Sequence, residues 1–390
     1  MQHNPSSNFC WSCGGAHLRH VVTFENAACV TQSTYPTAQQ AKNAPTGTMT
    51  LFQCQDCGCM QNLTFDEARV NYENYSLSLI NSPAYQQHVQ TLISLLREKY
   101  HIAHAKIVEI GCGDAHLLYT IAKATDSKGI GYDPSFEKRR EKLAQNQADD
   151  FNDFVTIFSE YFSESAIHKD TDVLLCRHVL EHIPEPINML RSIHDILAGG
   201  GGNPLVVFEV PCLQGSSLWE YSYLVYEHCS HFSPQALVCL FERAGFDVLE
   251  TSRCYAHGSY QLIFARLAQN NARNYPKELP ILFTDDLDVL PNLQRIDLAI
   301  APYSSVAIWT GHNVWSFRTQ YLKNKDKIRY CIDINPAKNG QFMAVSGLPI
   351  VLPHVAAKHG VEAVIVGNAM YRDEIAQMVE ERGYPFALIV

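Results

Sequence analysis

The chain has no long apolar run. Nowhere in its 390 residues do roughly eighteen apolar residues follow one another, so a membrane-spanning helix is excluded. Its first residues, Met1-Gln2-His3-Asn4-Pro5, carry neither the basic nor the apolar segment of a secretory signal. A cytoplasmic location is therefore the expectation. Positive charge is also in short supply: 30 Lys and Arg against 40 Asp and Glu give a formal net charge of -10. That balance argues against a nucleic-acid backbone as the substrate, because proteins that grip such backbones present a basic face. A small or nucleotide-linked molecule fits better. With 46% hydrophobic and 18% charged residues the chain is globular, and its length calls for two or three domains rather than one core.

Cysteine is not scarce, at 13 residues, and its distribution is informative. Two C-x-x-C pairs lie near the N-terminus: Cys10-Trp11-Ser12-Cys13, followed by Gly14, and Cys54-Gln55-Asp56-Cys57, followed by Gly58. Two such knuckles can place four thiolates around one zinc in a closed structural site. Cys59 is a spare thiol able to replace Cys57. Disulfides or a redox pair are the alternatives. A reducing compartment disfavours the first, and neither pair has the strand-to-helix setting of the second. The segment from Thr31 to Thr48 is polar and reads as loop, and the remaining single cysteines read as small core residues.

The stretch that organises the chain is Val108-Glu109-Ile110-Gly111-Cys112-Gly113-Asp114-Ala115-His116. An apolar strand breaks into two glycines and is followed by a helical run, Leu117, Leu118, Ile121 and Ala122. Without a Cβ, Gly111 and Gly113 let the backbone turn sharply and let a ligand lie against it, with a helix N-terminus behind. A second strand ends in Asp133, twenty residues after Gly113, where a carboxylate can accept from the hydroxyls of a ribose. Glu109 stands two residues before the first glycine. A third strand, Asp172 to Cys176, is followed by His178-Val179-Leu180-Glu181-His182-Ile183-Pro184.

Further apolar segments, Phe154–Phe158, Leu205–Val210, Phe246–Leu249 and Gln261–Ala265, bring the central region to seven strands with intervening helices. Such a pattern predicts a doubly wound α/β sheet with its ligand at the carboxyl ends of the strands. Past a polar linker at Gln269-Asn270-Asn271, strands at Val306–Trp309, Tyr330–Asp333, Ile350–Leu352 and Ala363–Val366 predict a second, smaller α/β unit. Three regions result: 1–70, 71–268 and 269–390.

The densest group of ionisable residues follows the fifth central strand: Glu209, then Tyr221, Tyr223, Tyr226-Glu227-His228-Cys229-Ser230-His231. A histidine near its unperturbed pKa suits proton removal near neutral pH, and Glu227 beside His228 is placed to fix its tautomer. Two histidines three residues apart could instead bind a metal, and His231 could equally be a packing residue.

Glu109, the glycine turn, Asp133 and the His178–Pro184 segment resemble the S-adenosylmethionine (SAM) site of class I methyltransferases. The resemblance implies a Rossmann-like sheet, with Glu109, Gly111, Gly113, Asp133 and His178 around SAM. Taken with the four cysteines, Glu227-His228, Phe232-Ser233, His257-Gly258-Ser259 and the C-terminal segment Asp333 to Gly340, the whole chain resembles the C-methyltransferases of deoxysugar biosynthesis. That family methylates carbon of a nucleotide-linked keto-sugar. By this resemblance Cys10, Cys13, Cys54 and Cys57 hold structural zinc, His228 is the base, and Glu227, Tyr226 and His182 support it. Two positions depart from the family pattern: Val225 stands where its tyrosine is usual, and Gly311-His312-Asn313 replaces its glycine-rich C-terminal turn. These departures keep open a second reading, a SAM-dependent enzyme with a hydroxyl, amine or non-sugar carbon acceptor. A third, an inactive zinc-containing scaffold, is opposed by the intact glycines and Asp133.

Overall fold

A computed structural model describes residues 9–30, 33–71, 83–137, 148–163, 168–213, 221, 223–254, 258–268, 282, 289–310, 314–368 and 371–390. The N-terminal region contributes β1 (Leu18–Ala28), β2 (Thr34–Tyr35), β3 (Thr46–Cys54) and β4 (Met60–Asn62). The central region contributes β5 (Lys106–Ile110), β6 (Lys128–Tyr132), β7 (Val155–Phe158), β8 (Val173–Arg177), β9 (Leu205–Pro211), β10 (Ser230–His231), β11 (Phe246–Cys254) and β12 (Tyr260–Leu267). The last region adds β13 (Val306–Trp309), β14 (Ile328–Ile332), β15 (Phe342–Met343), β16 (Ile350–Val351), β17 (Ala363–Val366) and β18 (Ala387–Ile389).

The central sheet has seven strands in the order β11-β12-β9-β8-β5-β6-β7. β8 and β9 are buried along their whole length, which is why they read as continuous apolar runs rather than alternating ones. Packed helices cover the faces; His116–Ala124 and Pro186–Ala198 each turn an apolar stripe inward, Leu117, Leu118 and Ile121 on the first and Ile187, Leu190 and Ile193 on the second. From β5 the chain runs outward to β6 and β7, then returns to β8 on the other side of β5. The strand order therefore reverses between β5 and β8, and a crevice opens at their carboxyl ends. β12 is antiparallel to both β9 and β11, and β11 forms that edge.

The smaller sheet near the C-terminus is parallel, in the order β16-β14-β13-β17-β18. Its fifth strand, β18, is only three residues long, and the sequence reading did not include it. The expected C-terminal turn, Gly311-His312-Asn313, lies outside the described residues, as do Tyr72 to Ser82 and His257.

The stretch expected as loop between Thr31 and Thr48 instead contains β2, a short helix at Ala38–Lys42 capped by Thr37, and the start of β3. β2 pairs with β15, so the N-terminal region is stitched to the C-terminal one. Phe24, Met49 and Leu51 share one apolar core with Trp315, Phe317 and Ile365. β10, from the loop after β9, adds to the edge of β4 and completes a sheet ordered β1-β3-β4-β10. Among the described residues, no helix is long and apolar enough to cross a membrane.

Candidate functional site

At the end of β5 the backbone N–H groups of Gly111 and Cys112 both donate to the carbonyl of Tyr132, at 2.8 and 3.2 Å, tying the turn to the end of β6. Gly111 and Gly113 adopt φ of 70° and 60°, a region that L side chains avoid. A Cβ on Gly111 would stand 2.3 Å from Val179 Cγ2, whereas one on Gly113 would meet nothing within 4 Å. The first glycine is needed for packing; the second leaves room over the turn. Asp133 Oδ2 accepts from the Gly113 N–H at 2.9 Å, and its Oδ1 accepts from the Ser135 N–H at 2.9 Å. Its carboxylate is thus fixed at the rim of a cavity of about 550 Å³ whose lining includes Glu109, Gly111, Gly113, Asp133, His178 and His182.

Glu109 is 2% exposed, and its Oε2 has no hydrogen-bond partner. Burial raises its carboxyl to about 7; the Arg177 charge works against that rise, and the nearby Asp114 and Asp133 add to it. A buried acceptor with an open valence, beside a glycine that leaves space, fits a ligand bringing hydrogen-bond donors or positive charge. That is the amino-acid end of SAM, so the residues present fit the cofactor that the sequence implies.

Beneath the turn lies a charged network that the sequence reading did not assemble. Glu209, fully buried, accepts from Arg177 at 2.9 Å through Oε1 and bonds His88 Nε2 at 2.6 Å through Oε2. His178 Nε2 lies 3.0 Å from Glu209 Oε1, and Arg177 also donates to the Tyr85 hydroxyl at 3.1 Å. Burial alone would raise the Glu209 carboxyl, but Arg177, His178 and His88 hold it well below the usual range. Burial would likewise lower His178, yet Glu181 and Glu209 raise it above its ordinary value. His178 has φ of 55° and lines the cavity. A readable signal existed: Arg177 and Glu209 are single charges inside otherwise apolar strands, a placement that needs a partner.

The histidine loop sits beside this cavity. His182 and His228 pack edge to face with ring centroids 4.7 Å apart. His182 Nδ1 donates to the Glu227 carbonyl at 2.9 Å and His228 Nδ1 to the Tyr223 carbonyl at 3.1 Å. A carbonyl can only accept, so each Nδ1 carries a hydrogen, and in a neutral His228 ring the lone pair is on Nε2. Burial, with the neighbouring His182 and His231, holds His228 well below its ordinary pKa, and the ring is neutral.

Two expectations need correction. Tyr226 does not face His228: its hydroxyl accepts from the Asp66 N–H at 2.9 Å and its ring packs over Gly47 in the N-terminal sheet. Tyr223 takes the neighbouring place, its ring stacked on His228 at 6.3 Å and 5.0 Å from Tyr260. Glu227 does not set the His228 tautomer through its carboxylate; the Tyr223 carbonyl does, and Glu227 contributes its own carbonyl to His182. His231 is 1% exposed, with Nδ1 3.3 Å from the Tyr221 hydroxyl.

The two C-x-x-C pairs converge. The four Sγ atoms of Cys10, Cys13, Cys54 and Cys57 all lie within 4.8 Å of one another, with Cys10–Cys57 and Cys13–Cys54 at 3.5 Å. Four sulfurs at about 2.3 Å from a tetrahedral zinc would stand about 3.8 Å apart. The N–H groups of Gly15 and Asp56 point at the Cys13 and Cys54 sulfurs, both at 3.4 Å, as donors that stabilise thiolates. The set therefore fits zinc. Cys59, the considered replacement for Cys57, is not in this group; its Sγ faces the Met60 carbonyl at 3.8 Å. None of the thirteen cysteines forms a disulfide.

The cluster is tied to the histidine loop. Ser230 pairs with Gln61 and His231 with Met60; Asn62 N–H donates to the Cys229 carbonyl at 2.9 Å, and the Ser233 hydroxyl donates to the Cys57 carbonyl at 3.2 Å. In the C-terminal sheet, Asp333 follows β14 directly, its carboxylate held by Lys338 Nζ and the Asn335 N–H, both at 2.8 Å.

Residues 84–251 match a family described as a methyltransferase domain. The chain is similar to the C-methyltransferase NovU of Streptomyces niveus, at 23% identity over 84% of this chain and 82% of that protein. It is also similar to a tRNA U34 carboxymethyltransferase of Sulfurimonas denitrificans, 28% identical over 41% of this chain and 55% of that protein. A ubiquinone biosynthesis O-methyltransferase of Pseudomonas aeruginosa is 29% identical over 28% of this chain and 47% of its own length. The chain thus spans about half the length of these last two relatives.

Proposed function

We propose that this SAM-dependent methyltransferase transfers the methyl group to carbon, at the position next to the ketone of a nucleotide-linked keto-deoxysugar. The observation that carries the reading is the His182–His228 pair beside the glycine-turn cavity, each ring pinned at Nδ1 by a backbone carbonyl, which leaves Nε2 of the neutral His228 ring as the proton acceptor. Carbon methylation requires removal of a proton from carbon, and a neutral imidazole inside a water-poor site is suited to take it. His228 Nε2 accepts the α-proton; the imidazolium so formed keeps its Nδ1–H on the Tyr223 carbonyl. Oxygen charge developing on the acceptor needs a donor, and Tyr223, stacked on His228, is the nearest aromatic hydroxyl-bearing side chain in the loop.

Glu109, Gly111, Gly113, Asp133 and His178 are assigned to SAM, with Asp133 accepting from the ribose hydroxyls and Glu109 meeting the amino-acid end. Bound there, SAM supplies an electrophilic methyl group. The protein's part is to orient the acceptor and to exclude water. Cys10, Cys13, Cys54 and Cys57 are assigned to structural zinc; with four thiolates no position stays open for substrate. The similarity to a C-methyltransferase along most of the chain supports carbon as the acceptor. The parallel C-terminal sheet with Asp333 at the end of β14 supports a nucleotide-linked one. On this reading the partner is a small molecule, with neither nucleic acid nor membrane involved.

The test is a panel of nucleotide keto-sugars incubated with methyl-labelled SAM, with the methylated position read by NMR. Label on the carbon next to the ketone is the expected result. Label on oxygen or nitrogen, or transfer only to acceptors without a nucleotide, refutes the sugar and leaves a different small-molecule acceptor.

A further inference from the structure

Glu181, His182 and His228 come together without any role for Glu181 in the reading above. One carboxylate oxygen of Glu181 and one ring nitrogen from each histidine lie within 4.8 Å of one another. Glu181 is 2% exposed, its Oε2 has no hydrogen-bond partner, and its Oε1 stands 3.8 Å from His178 Nδ1. A buried carboxylate oxygen left open in this way carries a desolvation cost that a donor, a proton or a cation can offset. The Nδ1–H groups of the two histidines are turned to the Glu227 and Tyr223 carbonyls.

Two imidazole nitrogens and one carboxylate oxygen are a donor set for a first-row divalent cation rather than for calcium or magnesium, which take mainly oxygen ligands. Three protein ligands leave a coordination position open, and His182 lines the cavity and so gives a way in. A third cluster, His88, Glu209 and Cys254, has its carboxylate already compensated by Arg177 and His88 and carries no such argument.

We propose that Glu181, His182 and His228 form a second metal site, distinct from the four thiolates, that captures a first-row divalent cation and withholds His228 from the acceptor while it is filled. The inhibitory half rests on His228 being the base; the binding half does not. A nitrogen that holds a cation cannot take a proton, so occupancy and turnover must move in opposite directions.

The experiment is a cobalt(II) titration of the full chain with its thiolate site already loaded with zinc, followed by visible absorbance. About one cobalt per chain is expected, with the d–d bands of nitrogen and oxygen ligation and without the intense charge-transfer band of thiolate ligation. Glu181→Gln and His182→Asn should each weaken it at least ~10-fold. Thermal melting and SAM calorimetry show whether each variant is folded; should Glu181→Gln fail to fold, His182→Asn carries the comparison. Absence of stoichiometric cobalt in wild type, or equal affinity in a folded variant, overturns the site. Methyl transfer should fall in proportion to occupancy and return with a chelator that leaves the thiolate zinc in place. Cobalt bound with transfer undiminished overturns the inhibitory half. If His228→Asn loses cobalt but keeps turnover, the base reading fails and the cation site stands.

Discussion

Glu109 offers the sharpest quantitative test, because one carboxyl bears on both stability and cofactor affinity. Burial raises its pKa from an ordinary 4.5 to about 7. At 1.36 kcal/mol per pKa unit, that difference corresponds to about 3 kcal/mol. The sign follows from the direction. A carboxyl that holds its proton more tightly in the fold contributes stability that is fully present below pH 4.5 and is lost as pH rises to about 7. Glu109→Gln cannot ionise, so its stability lacks this decline, whatever constant penalty of about 1–3 kcal/mol its buried amide brings. Urea unfolding of the SAM-free proteins between pH 4.5 and 8 should therefore show the variant gaining about 3 kcal/mol on wild type over that range. Calorimetry should show the reverse for SAM. A ligand that brings positive charge to Glu109 binds the ionised form, so wild-type affinity should climb with pH and level off above about 7. The variant should bind more weakly, by about 1.5–3 kcal/mol, and independently of pH in that window. Parallel stability curves would show that Glu109 does not hold a proton in the fold. Wild-type affinity independent of pH would show that it does not meet the charged end of SAM.

Three further outcomes are expected. Asp133→Ala should weaken SAM binding by about 1.5–3 kcal/mol in calorimetry; unchanged affinity would remove the ribose assignment. His228→Asn should cut turnover roughly 100-fold while SAM affinity stays near wild type, and in heavy water it should abolish exchange of the acceptor's α-proton; a variant that still exchanges and methylates passes the role to His231 or Tyr223. Purified protein should contain about one zinc per chain by metal analysis, and Cys54→Ser should lose it together with thermal stability; metal-free protein that stays folded and active would refute a structural ion.

The central sheet was legible because its inner strands are buried on both faces and so are continuous apolar runs, β8 and β9 above all. The glycine turn was legible because Gly111 and Gly113 take a conformation that few other residues tolerate. The N-terminal strands were not. β1 changes register between His20 and Val22 and again between Phe24 and Ala27, which destroys the alternation that marks a half-buried strand. β2 is two residues long and gains its partner from β15, more than three hundred positions away, so no local pattern announces it. Tyr226 was misplaced for a related reason. It is two residues from His228 in sequence, but in an irregular loop that distance does not fix direction, and its ring goes to Gly47 while Tyr223 turns back onto the histidine.

The same non-local pairing gives the four-cysteine cluster a place in the architecture of the site. A loop proposed to carry a base must be held rigidly, yet among the described residues the loop after β9 has only two in regular structure, Ser230 and His231. Those two residues pair with β4, whose flanking turn holds Cys54 and Cys57, and the Ser233 hydroxyl both donates to the Cys57 carbonyl and accepts from the Ala236 N–H at the start of the helix Pro234–Arg243. With a metal on the four sulfurs, the backbone around them would be fixed on one side by that ion and on the other by the histidine loop. Loosening the cysteine cluster must loosen His228 before it reaches the glycine turn, which is anchored separately through Tyr132 and Asp133. In Cys54→Ser, turnover should therefore fall further than SAM affinity. Equal losses in both would mean that the N-terminal sheet supports the whole domain rather than the histidine loop.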